Sequence, residues 1–291
     1  METTFLPVLF ALATAFAFAV STVLVRVGVQ ESSPLVALVV TMAVNVVVLW
    51  TLSVVQYDVH INLWAWRWFI LAGVFAPALG RLANYVGIQR VGVNLVSPIT
   101  NMNPLVSVFL AIALLGERLT LSGYGGVLLA VGGGVVLSTV RGDGEIQVRK
   151  TDLLYPVFGA VTYGSVQIFR KLGTRLVAEP TIGAAVNLTT SFVLVTLGLA
   201  VTGRLETFST SNRDLLTFGA AGIVSSLGLA SLYTALSLGN VTIVTPIFNA
   251  SPLFVFLLTG LFFREDELFS RRVIVGTVGI VAGVVVLTMS T

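Results

Sequence analysis

Two short segments of the sequence place an asparagine between two prolines inside an apolar run. Residues 98–105 follow the pattern Pro-Ile-x-Asn-x-x-Pro-Leu around Asn101, and residues 246–253 repeat it around Asn249. A proline inside a spanning helix removes one backbone hydrogen bond and leaves a carbonyl without a partner, which lipid cannot supply but a polar cavity can. The pattern therefore predicts two helix breaks that present amides to a small polar ligand.

The prolines and the small polar residues beside each amide complete the predicted site. The expected hinges of the two helix breaks are Pro98, Pro104, Pro246 and Pro252. The expected cavity-lining neighbours of the two amides are Thr100, Asn103 and Ser251. In the alternative interpretation, the prolines only kink the helices for packing, and the amides form interhelical hydrogen bonds worth about 0.6 kcal/mol each. The symmetric placement of the two amides favours a site at the membrane midplane.

Arg81 is the only charge that lies well inside a predicted span. A charged side chain at this depth costs at least about 2.5–3.5 kcal/mol, so we expect Arg81 to face a cavity, where its guanidinium suits a carboxylate or phosphate. The alternative is that Arg81 extends its charge to the lipid headgroups. Tyr85 and Tyr233 are 148 residues apart, and their hydroxyls are expected either to line the cavity or to anchor helices at the membrane interface.

Acidic residues close the fourth and ninth apolar runs, each beside an arginine. Glu117 precedes Arg118, and Glu265 follows Arg264. A carboxylate at the C-terminus of a helix is unfavourable unless a base offsets it. These residues are therefore predicted to form either a gate whose partners change between conformations or fixed interfacial ion pairs.

Other kinds of chemistry find little support in the sequence. His60 is the only histidine and cysteine is absent, so no metal site is predicted. The sequence offers neither paired carboxylates nor a histidine cluster at membrane depth, so we predict no catalytic residue, no cofactor and no enzyme. The 16 basic residues are scattered rather than gathered into a patch, which argues against a nucleic-acid partner.

The composition predicts a multi-pass protein of the cell membrane, with the lipid bilayer as its main partner. Of the 291 residues, 56% are hydrophobic and 10% are charged, and the mean hydropathy is +0.99. One spanning helix needs about 20 apolar residues, which leaves room for about ten spans and for no soluble domain. The predicted spans are residues 5–27, 34–55, 67–89, 93–115, 122–140, 152–171, 181–202, 214–238, 241–263 and 271–289.

The chain repeats itself, which predicts an all-α membrane fold of two five-helix units. The pairs that match at an offset of 148 residues include Gly80–Gly228, Tyr85–Tyr233 and Glu117–Glu265. At a slightly drifted offset, Arg26-Val27-Gly28 pairs with Lys171-Leu172-Gly173. We predict repeats at residues 1–140 and 152–291, joined by a linker at 141–151. Because each repeat has an odd number of spans, the second enters the membrane from the opposite side, as in many secondary transporters.

With these features the sequence resembles the EamA family of the drug/metabolite transporter superfamily over essentially its whole length. The resemblance rests on the paired five-helix halves, the proline-rich fourth and ninth helices, and the segment Gly116-Glu117-Arg118-Leu119-Thr120 that closes the fourth helix. It implies metabolite or amino-acid export through a central cavity lined by helices one to four and six to nine, with the fifth and tenth helices at the periphery. Many members carry an arginine in the second helix, and this chain has none there.

Two indicators of membrane orientation disagree. The family resemblance implies that both termini are cytoplasmic. The predicted loops on the side of the termini carry five basic residues and the other loops carry ten, so the positive-inside rule places the termini outside. The five basic residues are Arg67, Arg118, Arg170, Lys171 and Arg175.

We therefore predict a secondary transporter that exports or exchanges small metabolites, such as amino acids or related polar or amphipathic compounds, by alternating access. The sequence has no nucleotide-binding loop of the type Gly-x-x-x-x-Gly-Lys-Ser/Thr, so the energy comes from a gradient, with a proton or a counter-substrate as the coupling partner. The alternatives are a passive channel and a facilitative uniporter. The glycines of the fifth and tenth spans predict close packing within the chain or, alternatively, a homodimer face.

Overall fold

The computed structural model describes residues 2–29, 32–138, 149–203, 210–263 and 271–289, and the regular elements of these residues are all helical. In chain order they are α1 (Glu2–Gly28), α2 (Pro34–Gln56), α3 (Leu63–Gly73), α4 (Gly80–Val91), α5 (Val93–Thr100), α6 (Asn103–Leu115), α7 (Leu121–Ser138), α8 (Leu154–Thr174), α9 (Pro180–Val201), α10 (Asn212–Leu238), α11 (Val241–Phe248), α12 (Ser251–Phe263) and α13 (Arg271–Met289). A π-helical turn (Val74–Leu79) joins α3 to α4, and a 3-10 turn (Lys150–Leu153) precedes α8. The prediction of an all-α fold is confirmed.

The helices of the described residues build ten membrane spans, as predicted. α3 with α4, α5 with α6, and α11 with α12 each form one interrupted span, and every other helix forms a span of its own. Seven helical stretches are long and apolar enough to cross a membrane, namely 5–28, 34–56, 63–91, 96–115, 180–201, 212–238 and 241–261. Of the other three spans, α7 and α13 are shorter apolar helices, and α8 carries basic residues near its end.

The alternation of the spans defines two sides of the protein. We call the side where α1 begins the N-terminal side, and the side where α1 ends and α2 begins the first-loop side. α6 and α8 end on the N-terminal side, where α10 also ends and α11 begins. Because α8 begins on the first-loop side, the second repeat has the opposite orientation to the first, which confirms the predicted inversion.

The two repeats share one core instead of packing separately. α1 packs mainly on α10, and α2 packs on α9 and α10. The third span and α6 pack on α8, while α7 packs on α13. The pair of α1 with α10 and the pair of α8 with the third span are counterparts in the two repeats. Each pair forms one wall of the space at the centre of the protein.

The third span breaks at Pro77, a feature that the sequence analysis did not predict. A residue before proline is pushed away from the helical conformation, and Ala76 is extended, with φ −148° and ψ 135°. The second repeat supplies donors for the carbonyls at this break. Asn187 Nδ2 donates to the Ala76 carbonyl at 3.3 Å, and Ser191 Oγ donates to the Gly73 carbonyl at 2.7 Å. The break is therefore stabilised by α9.

The fourth and ninth spans break at the same place in the two repeats. Asn101 has φ −68° and ψ −5°, and Asn249 has φ −71° and ψ −1°. These ψ values lie near zero, so the chain turns there before the next helix begins. Pro104 lies in the first turn of α6. A backbone N–H in the first turn has no partner within the helix, so a proline there costs no hydrogen bond.

The end of α8 corrects the sequence prediction that Arg170 and Lys171 are loop residues. α8 continues to Thr174, and the two side chains are only 7% and 8% exposed. The helix extends because its last turns pack against the third span and α6, which bury a segment that is polar in composition. Two of the five basic residues assigned to loops on the N-terminal side are therefore inside the protein.

Candidate functional site

A cavity of about 640 Å³ lies between the two repeats. Its volume falls in the range of about 300–1,000 Å³ that is usual for sites of small ligands. Val29 and Pro34 line it at the junction of α1 and α2, so the cavity opens toward the first-loop side. Its lining toward the other side includes residues inside helices, such as Arg170 of α8 and Leu188 of α9. Among the described residues, no helix end on the N-terminal side lines the cavity.

The structure brings six of the eight predicted binding residues to this cavity. They are Arg81, Thr100, Asn101, Asn103, Asn249 and Ser251. The side chain of Tyr85 lies outside what the structure describes. The eighth residue, Tyr233, is fully buried and does not line the cavity.

A hydrogen bond between side-chain amides connects the helix breaks of the two repeats. Asn103 Nδ2 donates to Asn249 Oδ1 at 3.3 Å and to the Thr100 carbonyl at 3.0 Å. Asn249 Nδ2 donates to the Thr245 carbonyl at 2.9 Å. Thr100 Oγ1 donates to Asn84 Oδ1 at 2.9 Å, and Asn84 also lines the cavity. The amides thus provide both donors and acceptors at the centre of the cavity.

Tyr233 supports a neighbouring side chain instead of lining the cavity, which corrects the prediction for this residue. Its hydroxyl donates to Asn187 Oδ1 at 2.9 Å, and its ring lies 5.7 Å from that of Phe69. Gly183 of α9 makes room for both rings, because a Cβ at this position would lie 2.6 Å from Phe69 and 2.9 Å from Tyr233. Packing against this glycine turns Tyr233 away from the cavity.

Arg170 is a cavity residue that the sequence analysis missed. It lines the cavity together with Gln167, and its Nη1 donates to Gln167 Oε1 at 3.4 Å. Its Nη2 donates to Asn187 Oδ1 at 3.1 Å, and its guanidinium carbon lies 5.5 Å from the centre of the Tyr233 ring. One signal was available: Gln167 and Arg170 are three residues apart, so they share a helix face if the helix continues beyond them.

Polar groups also lie in the cavity where α2 packs on α10. Asn45 Oδ1 accepts hydrogen bonds from the hydroxyls of Ser225 and Ser226, both at 2.8 Å. Asn45 and Ser225 line the cavity. These groups are neutral, so this part of the cavity offers hydrogen bonds without a charge.

Two charged side chains cap the junction of α10 and α11 on the N-terminal side. The carboxylate of Glu117 accepts hydrogen bonds from the first two backbone N–H groups of α11, both at 2.9 Å. Lys171 Nζ donates to the carbonyls of Leu236 and Gly239 at the end of α10, at 2.6 and 2.7 Å. A negative charge at a helix N-terminus and a positive charge at a helix C-terminus are both favourable. The two caps thus tie the chain beyond α6 and the end of α8 to the α10–α11 junction on this side.

The partner of Glu117 differs from the arginine that the sequence suggests. Arg118 is exposed, and the described residues contain no ion pair between Glu117 and Arg118. The counterparts in the second repeat, Arg264 and Glu265, lie outside the described residues. Glu117 therefore contacts the backbone of the other repeat, because the N–H groups of α11 lie within its reach and compensate its buried charge.

Comparison with known proteins agrees with this architecture. No protein of curated function matches the sequence. A protein of known crystal structure, 17% identical in sequence, has the same fold with a TM-score of 0.81, over 98% of this chain and 99% of that chain. The model of the EamA-like transporter family matches residues 5–139 and 151–289. The two matched stretches correspond to the two repeats, so the chain belongs to the EamA-like transporter family and is a membrane transporter.

Proposed function

We propose that this transporter exports or exchanges small polar or amphipathic metabolites, such as amino acids, by alternating access. The observation that carries the proposal is a cavity between two inverted repeats whose lining, among the described residues, includes helix ends on the first-loop side and none on the N-terminal side. Inverted repeats allow two related packings, one open to each side, and the substrate crosses when the protein changes between them. A passive channel needs a path open on both sides, so the one-sided cavity favours a carrier.

The contacts between the repeats suit such a change of packing. Asn103 and Asn249 are joined by one hydrogen bond of 3.3 Å, which a bound solute can replace with bonds of its own. A hydrogen bond between spanning helices contributes only about 0.6 kcal/mol, so its exchange is inexpensive. On the N-terminal side, release of the solute requires the Glu117 carboxylate to leave α11, so Glu117 acts as the gate residue of this side.

Counterflow in proteoliposomes tests the carrier function. Vesicles are loaded with an unlabelled solute from a panel of amino acids and related metabolites, and uptake of the labelled form is followed. A carrier gives transient accumulation that depends on the internal solute, whereas a channel gives simple equilibration. Uptake that internal solute never stimulates, for any member of the panel, would contradict a carrier.

Alternating access itself is tested by single-cysteine labelling, because the sequence contains no cysteine. Thr22 is exposed and lines the cavity, whereas Thr242 is fully buried beside the Glu117 cap. A transported solute is expected to change the labelling rates of the Thr22→Cys and Thr242→Cys variants in opposite directions. Parallel changes at the two positions would argue against alternation.

A further inference from the structure

We propose that the transported solute is a small organic anion whose carboxylate or phosphate binds to Arg170 and Arg81. This inference rests on the proposed carrier function and adds the charge of the solute and the side chains that select it. It is carried by the surroundings of Arg170, by the absence of a compensating carboxylate, and by the unequal charges of the two cavity walls.

The bonds of Arg170 leave its guanidinium free to bind a ligand. The side chain is 7% exposed, and its hydrogen bonds go to the neutral amides of Gln167 and Asn187. Its Nε is buried without a hydrogen-bond partner. A buried guanidinium is normally paired with a carboxylate, because five N–H donors and a full charge need compensation. Here the amides orient Arg170 and leave its charge for a ligand.

No carboxylate of the protein takes this role in the part of the chain that the structure describes. Among those residues, no aspartate or glutamate lines the cavity or forms an ion pair with Arg81 or Arg170. The interior of a membrane protein screens charge weakly, so two guanidiniums without a counter-charge produce a strong positive potential in the cavity. A bound anion lowers the energy of this arrangement, and a cationic solute raises it.

Both arginines lie on one wall of the cavity, which consists of the third span and α8. The corresponding wall of the other repeat consists of α1 and α10. There the counterparts of Arg81 and Arg170 are Leu229 and Val25, which line the cavity as well. Because both walls have the same fold, the fold does not require the charges. The anionic group of the solute therefore binds to the arginine wall, and its remaining atoms contact the uncharged wall.

The break in the third span connects the positions of the two arginines. Asn187 Oδ1 accepts from Arg170, and Asn187 Nδ2 donates to the Ala76 carbonyl. Arg81 follows Ala76 by five residues in the same span. The contact with α9 thus links Arg170 to the span that carries Arg81, and both arginines line the same cavity, so an anionic group bound there has both charges on one wall.

Thermal stability of the purified protein measures binding separately from transport, because a ligand that binds the folded state raises the Tm. The probes are matched solutes that differ in charge: 3-phenylpropionate and its amide, succinate and succinamide, and glycerol 3-phosphate and glycerol. We expect at least one of the anions to raise the Tm and to support counterflow, while its neutral match does neither. Equal effects of matched solutes, or no effect of any anion, would overturn the inference.

Variants identify the side chains that bind the anion. Arg170→Gln and Arg81→Gln are each expected to weaken anion affinity at least tenfold, and Arg170→Lys is expected to lie between Arg170→Gln and the unchanged protein, because lysine keeps the charge but loses the planar fork. The matched control is Arg175→Gln, which removes the same charge from an exposed residue just beyond α8. If Arg170→Gln does not fold, Arg170→Lys and Arg81→Gln decide, and full affinity in both overturns the proposal.

The two readouts separate this inference from the proposed function. Anions that raise the Tm, when no solute of either panel gives counterflow, would contradict the carrier function and would support the anion site. Counterflow of a neutral or cationic solute, with the anions inactive in both assays, would support the carrier function and overturn the anion site.

Discussion

The fifth helices of the two repeats, α7 and α13, meet through bare backbone, whereas the helix breaks at the centre meet through side-chain amides. At the periphery, a Cβ on Gly133 would lie 2.5 Å from the Gly276 carbonyl oxygen, so the two helices touch along their main chains. At the centre, Asn103 and Asn249 are joined by one hydrogen bond of 3.3 Å. Both regions join counterparts of the same duplicated unit.

The difference separates contacts that hold the repeats together from contacts that can change. Backbone packing has no alternative partner, so we expect α7 and α13 to move as one body. The hydrogen bond between the two side-chain amides can be replaced by a hydrogen bond to the solute or to the other face of the neighbouring helix. We therefore expect the change between the two access states to take place at the centre and at the N-terminal caps, with the α7–α13 contact unchanged.

The largest effect is expected at the periphery, from Gly133→Ala. The new methyl group meets the backbone of α13, with Ile280 N only 2.6 Å away, so the helices must separate, at a cost of about 1–3 kcal/mol. Gly132→Ala is the matched control, because Gly132 is exposed and has no atom within 4 Å of its Cβ position. The Tm in detergent should fall for Gly133→Ala alone, and equal losses for both variants would contradict a backbone contact.

The next effect is expected at the N-terminal cap, from Glu117→Gln. The variant loses the negative charge at the N-terminus of α11 and one of the two side-chain oxygens that accept from its backbone N–H groups, which removes about 1–2 kcal/mol from the closed state. Labelling of the Thr242→Cys variant should then become about tenfold faster, since 1.4 kcal/mol corresponds to a factor of ten. Glu179→Gln on the same side serves as the control, because Glu179 precedes α9 but its side chain makes no capping hydrogen bond to that helix. Unchanged labelling would show that Glu117 is no gate.

A smaller effect is expected when the amide bridge is removed by Asn103→Ala. The variant loses an interhelical bond of about 0.6 kcal/mol, which corresponds to about a threefold change in counterflow rate. The matched change in the other repeat is Ser251→Ala, since Ser251 occupies the equivalent position and makes no hydrogen bond among the described residues. We expect transport by Ser251→Ala to remain normal. Equal losses of transport in Asn103→Ala and Ser251→Ala would show that the two helix breaks contribute equally.

The smallest effect is expected for Asn101→Ala. Asn101 lines the cavity, but its side chain has no hydrogen bond within the described part of the chain, while its counterpart Asn249 has two. Stability should change by less than about 0.5 kcal/mol, and KM should change less than in Asn249→Ala. Equal KM changes would support the symmetric pair of amides that the sequence pattern suggests.

Much of the fold could be predicted from the sequence because membrane spans and duplication both leave local patterns. A spanning helix needs a long apolar run, and the Pro-Ile-x-Asn-x-x-Pro-Leu pattern occurs twice, so the number and the pairing of the spans follow directly. The break at Pro77 was less visible, because its carbonyls are stabilised by Asn187 and Ser191, which lie more than a hundred residues away.

The site was only partly predictable, because burial of a polar side chain depends on neighbours from other helices. In the sequence of its own span, Arg170 resembles a residue at a helix end. Its burial is visible only from its contact with Asn187 of α9. The helical pattern of α10 predicts that Tyr233 is in a span but not which way it points. That direction depends on Gly183, which makes space for the ring.

Helices of the first repeat pack mainly on helices of the second, and this arrangement affects how the protein is assembled in the membrane. α1 packs mainly on α10, and the third span packs on α8, so the main packing partners of the first repeat are synthesised after it. When the first five spans have left the translocon, their inner faces are still in contact with lipid or with one another. Assembly of the polar centre must therefore wait until the ninth span, which carries Asn249, is inserted, and a ribosome that stalls before α10 would leave Arg81 in the bilayer without its cavity.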